Sequence, residues 1–365
     1  MVFNMKKVGV FLIAAALIAG VVGCDAPSTG VQISNWHDLD AVRDDPDGTF
    51  ILMNDLNSTT AGYTELASPT ANDGKGWLPI GIWPNPFVGS FDGQEYQIKN
   101  LFINRPTEEV VGLFAYVDEG GVIENVGMVN VDVTGQLWVG GLVGLNKGTV
   151  SNSYSTGSVS GGYQDVGGLV GTNIGTVSNS YSSSNVTGSE HFVGGLVGTN
   201  QGTVTSSYST GNVTGKENVG GLVGSNTGFY PETHLATHMA TVSNSYSTGS
   251  VSGLKYVGGL VGENSDTVTS SYSIGRVVGN FPVGGLVGWN TGTTSNSFWD
   301  IETSGQNISA GGTGKTTAEL QDINTFSGAT WNIVAVANPD IRNLVYIWNI
   351  VDDETYSFLS WETVS

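Results

Sequence analysis

The chain has 365 residues, a formal net charge of −20 and only 12% charged residues. That acidity excludes nucleic acid and anionic lipid surfaces as preferred partners, since both repel a polyanion. A single cysteine, Cys24, excludes a disulfide framework, and the sparse charge leaves a surface rich in Ser, Thr, Asn and Gly.

Residues 1–23 predict an export signal. Lys6 and Lys7 form its positive start and Val8 to Val22 its apolar stretch, which is short for a membrane span. It ends in Val21-Val-Gly-Cys24, which resembles a bacterial lipobox. The resemblance implies cleavage before Cys24 and a lipid on that cysteine, with a plain signal peptide as the alternative. Removing Lys6 and Lys7 takes the formal charge to −22.

Residues 24–33 are expected to be a tether, and 34–109 an N-terminal cap with the first coils. Within the cap, Ser34 or Asn35 is placed to cap a short helix that turns Trp36, Leu39 and Val42 to one face. A helix there plugs an open core and blunts a sheet edge. Phe50 to Asn54 reads as a first strand.

Residues 110–299 are repetitive. A divergent copy spans Val110 to Gly135, and six close copies open at Val139, Val166, Val193, Val219, Val257 and Val283. The steps are 27, 27, 26, 38 and 26 residues, the long one holding an insert between Gly228 and Thr241. A fixed period of this length means one unit stacked on itself. Five or six Gly per copy, with many Ser, Thr and Asn, disfavour helix, and the short apolar alternation suits strands. The prediction is a parallel β-solenoid of two or three short strands per coil, each coil adding about 4.8 Å. Its core takes Leu142, Leu169, Leu196, Leu222, Leu260 and Leu286 with two Val columns. The column Asn146, Asn173, Asn200, Asn226, Asn264 and Asn290 is expected to form a hydrogen-bonded structural ladder.

The run Gly-Gly-Leu-Val-Gly resembles the GLUG motif, and the six copies match it in almost every column. The resemblance implies an all-β, right-handed parallel β-helix of bacterial or archaeal surface proteins, sometimes beside IgA-cleaving metalloproteases. It implies no activity of its own.

Residues 300–365 are expected to form an irregular cap closing the far end, with a short helix from Thr316 to Asp322. Gly311-Gly-Thr-Gly-Lys-Thr316 superficially suggests a phosphate loop, but Ser309 stands where its first Gly is needed.

The candidate ligand contacts are Tyr154, Tyr181, Tyr208, Tyr246 and Tyr272. Ser flanks each Tyr, so alternation puts Ser inside and the rings outside, where a row could stack sugars or a protein; an internal aromatic ladder is the alternative. His234 and His238, near Glu232, are weak metal candidates, since Leu235 replaces the Glu that a zinc protease needs. Acids such as Asp165, Glu190, Glu217, Glu263 and Asp266 stand singly. No catalytic residue or cofactor is therefore assigned. The expected function is an adhesin-like binding or structural module, exported and held to a membrane only through Cys24, with a glycan or surface protein as partner. The alternative is a polysaccharide-binding or -cleaving β-helix.

Overall fold

The computed structural model describes residues 30–228 and 239–362. They form a parallel β-solenoid whose coils contribute to four sheets. We name each sheet by its repeated residue. The Val-Gly sheet has seven strands, from Val110–Val111 through Trp138–Gly140 to Val283–Gly284. The Asn sheet has seven, from Phe114–Val117 to Val287–Asn290. The Thr sheet has ten, from Val31–Ile33 to Thr293–Ser295. The Tyr sheet has fourteen and ends on Thr313–Lys315.

Register follows the repeat column by column. Val166 pairs with Val139 and Val193, and Asn173 with Asn146 and Asn200. A coil carries more strands than the two or three expected: Gln164–Gly167, Val170–Asn173, Thr176–Ser178, Tyr181–Ser182 and Asn185–Gly188 make up one turn. The reason is the density of corners. Asn179 bends the chain at φ 47°, a conformation Asn tolerates. At Gly167 two strands meet so closely that a Cβ would lie 2.0 Å from the Val170 carbonyl oxygen, so only Gly fits there.

Packing is set by superposition. The six Leu of the repeats are fully buried, as are Val150, Val177, Val204, Val242 and Val268. These residues belong to one continuous apolar cluster from Ile33 to Trp299. Beside it run two polar ladders. Asn173 Nδ2 donates to Asn200 Oδ1 at 2.8 Å, and the same bond links every successive pair from Asn146 to Asn290 at 2.7–2.8 Å. The ladder starts at Asn146 because Val117 fills that column one coil earlier, leaving Asn146 Oδ1 without a donor. A second ladder joins the backbone N–H of Ser153, Ser180, Ser207, Ser245 and Ser271 to the next coil's Ser Oγ at 3.2 Å. Identical residues at the strand spacing make each bond repeat without adjustment.

Both ends depart from expectation. Val31–Ile33, within the expected tether, is the outermost strand of the Thr sheet and pairs with Phe50 to Leu52, because Ile33 joins the core. The helix Trp36–Asp40 is capped by Asn35, whose side chain accepts from the N–H of His37 and Asp38, and Trp36 packs on Trp77 and Tyr63. At the far end, residues 308–310 close the last coil: Gly285 N–H donates to Ile308 O and Ala310 N–H to Val287 O. The rest of the expected end cap lies on the solenoid's flank. Its three-stranded sheet, Ile333–Ala335, Trp348–Ile350 and Phe358–Leu359, packs over the Tyr sheet with helices Thr317–Gln321 and Ile323–Gly328. The Gly-rich run before Thr316 forms the strand Thr313–Lys315, and Lys315 Nζ pairs with Glu319 at 2.9 Å.

Candidate functional site

The tyrosine column stands on the outer side of its sheet. Ser155, Ser182, Ser209, Ser247 and Ser273 point inward and are fully buried. The rings of Tyr154, Tyr181, Tyr208, Tyr246 and Tyr272 stack almost parallel, with centroids 4.8–5.1 Å apart and tilts of 1–8°. This stacking corrects the expectation that the row could take sugar rings on its faces. Each inner ring already has a tyrosine on both sides. Tyr154, first in the row, lies against Gly127, where a Cβ would come within 2.6 Å of the ring, and its hydroxyl accepts from Gln97 Nε2 at 2.7 Å. Only ring edges and hydroxyls remain accessible. Burial among the rings raises the Tyr181 phenol to about 12, so it stays a neutral hydroxyl donor.

The flank cap covers the later rings. Tyr246 and Tyr272 are only 6% and 2% exposed, which removes them as ligand contacts. Trp348 lies 6.1 Å from Tyr246 and 5.8 Å from Tyr272, and Tyr272 Oη donates to Ser357 O. Trp361 rests on Tyr208 with ring centroids 5.7 Å apart, and its Nε1 donates to Ser206 O at 3.0 Å.

Beneath the cap, burial pushes the Glu362 carboxyl up to about 7 from an ordinary 4.5. Between those values the docked cap binds more protons than the free chain, so docking is strongest below about pH 4.5 and weakens as pH rises through about 7. The full swing is roughly 3 kcal/mol. Hydrogen exchange of the cap at pH 5 and pH 8 is expected to show faster opening at pH 8 beyond the intrinsic change in rate. Glu362→Gln should flatten that difference; an unchanged pH dependence would locate it elsewhere.

Where the cap stops, a groove of about 550 Å³ opens along the flank. Tyr154 and Tyr181 edge it, Glu95 and Gln97 stand at one end, and Trp361 lines it with the corner residues Asn152 and Asn179. Asn125 also lines it, but its amide is held by Asp92 at 2.9 Å. The side-chain amides of Asn152 and Asn179 and the Tyr181 hydroxyl make no hydrogen bond to protein among the described residues. The groove therefore offers neutral donors and acceptors.

A smaller cleft of about 230 Å³ lies between the Val-Gly and Asn sheets, with Asp165, Thr199 and Glu263 on its walls. Stacking thus brings together two acids that are far apart in the chain. Asp165 is 5% exposed, accepts from Thr199 Oγ1 and is pushed up to about 6 by burial. Glu263, also raised by burial, accepts from Asn218 Nδ2. Elsewhere acids pair with bases, Glu190 with Lys216, and Glu217 with His191 at 3.3 Å. Among the described residues no three His, Cys, Asp or Glu converge as a metal site. Cys24, Glu232, His234 and His238 lie outside the described residues.

Residues 215–252 match the GLUG motif, and they lie within the stacked coils. The chain is a GLUG-repeat β-solenoid. It is 36% identical over 151 residues, 40% of this chain, to halomucin of Haloquadratum walsbyi. It is 33% identical over 106 residues, 28% of this chain, to a provisionally named Gly-rich membrane protein of Evansella cellulosilytica. The matched parts are 2% and 11% of those much longer proteins. A solved structure from Bacteroides ovatus, provisionally named an immunoglobulin A1 protease, superposes with a TM-score of 0.54 over 92% of this chain and 94% of that one. At 20% identity this likeness shows the fold alone.

In this GLUG solenoid, sequence reasoning missed Asn152, Asn179 and Trp361. Asn152 and Asn179 share one column, two residues before Tyr154 and Tyr181, and that recurrence was the available signal. Nothing local points to Trp361, which meets Ser206 across 155 residues of chain.

Proposed function

We propose that this GLUG solenoid is an exported, surface-displayed module, held to a membrane by lipid on Cys24 and acting by adhesin-like binding or as a spacer rather than by catalysis. The observation that carries the reading is the uninterrupted superposition of coils. It presents half-buried columns of neutral Thr and Ser that repeat from coil to coil, such as Thr149, Thr176 and Thr203, while the acids it brings near one another are already hydrogen-bonded or paired. Such a surface suits repeated weak contacts better than a converging acid–base pair. The similarity to halomucin and to a protein named for the membrane supports display outside the cell.

The test is metabolic labelling with an alkyne fatty acid in a bacterial host. The full chain is expected to incorporate label, fractionate with membranes and react with an impermeant amine reagent on intact cells. Cys24→Ala should lose the label and leave the membrane fraction. Identical fractionation of both, with no label in either, would remove the anchor from the account.

A further inference from the structure

We propose that the groove between the open tyrosines and Trp361 binds a neutral, hydroxyl-rich glycan chain laid along the solenoid axis. This rests on the surface-module reading and names the ligand class for it.

Three observations converge. Asn152 with Tyr154 and Asn179 with Tyr181 are the same pair of groups repeated one coil apart, since Ser151 pairs with Ser178 and Tyr154 with Tyr181. The rings set the repeat at 4.8 Å. A polymer whose hydroxyls recur along its length can meet each pair in turn, whereas a single small molecule would use one.

The second observation is chemical. An amide offers two donors and an acceptor, and a neutral phenol one donor with acceptor capacity. Among the described residues the amides of Asn152 and Asn179 and the Tyr181 hydroxyl have no protein partner. This is the donor–acceptor mix that sugar hydroxyls satisfy. Among the described residues no Lys or Arg lines the groove and Glu95 does, so an acidic polymer is disfavoured.

The third is shape. A volume of about 550 Å³ is in the range of ligand clefts, which pair a few fixed polar groups with apolar wall. Trp361 supplies that wall for the C–H face of a sugar. The stacked tyrosine faces cannot, so the ligand must contact ring edges and hydroxyls and reserve its apolar face for the indole. Backbone geometry does not by itself require the amides. The equivalent corners at Ser206 and Ser270 take a similar positive φ of 49° without one.

The experiment is affinity electrophoresis of the full chain in gels containing dextran, xyloglucan or galactomannan, with alginate and polygalacturonate as acidic counterparts. Retardation is expected in at least one neutral polymer and in neither acidic one. The double variant Asn152→Gly/Asn179→Gly keeps the positive φ and deletes both amides. It should weaken retention by about tenfold or more with an unchanged melting temperature. Tyr181→Phe, which removes only a hydroxyl, should weaken it severalfold. Absence of retardation in all three neutral polymers, equal retention by the double variant, or stronger retention by an acidic polymer each overturns the proposal. Surface labelling separates the two readings: if it succeeds while no polymer binds, only the groove assignment fails.

Discussion

Asn200→Leu is expected to lower stability by about 2–5 kcal/mol, far more than its size would suggest. Asn200 sits mid-ladder, accepting from Asn173 and donating to Asn226, and is fully buried. Leucine has the same branched outline but removes the 2.8 Å acceptor of Asn173 Nδ2, which keeps only Gly175 O and Thr203 O at 3.2 Å, and leaves Asn226 Oδ1 without its donor; a buried polar group that loses its partner costs about 1–3 kcal/mol. Asn290→Leu is the comparison. Asn290 ends the ladder, is less buried, and donates only to Ala310 O at 3.4 Å, so its replacement should cost no more than about 1–2 kcal/mol. Denaturant unfolding followed by circular dichroism measures both. Equal losses at the two positions would mean that the ladder does not act as a continuous network. A solenoid's stability is a sum over coils and interfaces, so the interior variant should also broaden the transition by uncoupling the two halves.

Trp348→Ala is expected to undock the flank cap at a cost of about 3–5 kcal/mol while the coils stay folded. Trp348 is fully buried and joins Tyr246, Tyr272 and Trp331, the last with ring centroids 4.8 Å apart. These belong to an aromatic cluster distinct from the Leu and Val core. Limited proteolysis should then cut residues 329–347 readily and leave a resistant solenoid fragment, and hydrogen exchange should speed up in the cap alone. Trp348→Phe should cost far less, because it keeps most of the ring and removes an indole N–H that has no partner among the described residues. Loss of protection throughout the coils in Trp348→Ala would show that cap and solenoid are one cooperative unit.

Much of the fold was legible in the chain. Leu142 to Leu286 and Asn146 to Asn290 hold their columns because one coil cannot bury its own apolar side, so only stacking like over like closes the core. Ser alternating with Tyr favoured the outer side for the rings over an internal ladder, and the buried Ser column places them there. The alternation was not enough to show that 4.8 Å stacking closes their faces, which follows from the parallel ring planes. The strand Val31–Ile33 falls within the expected tether because three residues carry no period, and its pairing depends on Ile33 reaching a core built by later coils.

The sequence by itself determined the superposed coils, their inward Leu, Val, Asn and Ser columns, and the neutral surface, because a strict period makes every contact a contact with the neighbouring copy. Only the tertiary structure decided where residues 313–362 go, and hence that Tyr246 and Tyr272 are covered while Asn152, Asn179 and Tyr181 border an open groove. The physical reason is that an aromatic-rich segment gains similar apolar burial against an end or a flank. The choice rests on single long-range contacts, Trp361 to Ser206 and Tyr272 to Ser357, that no repeat encodes.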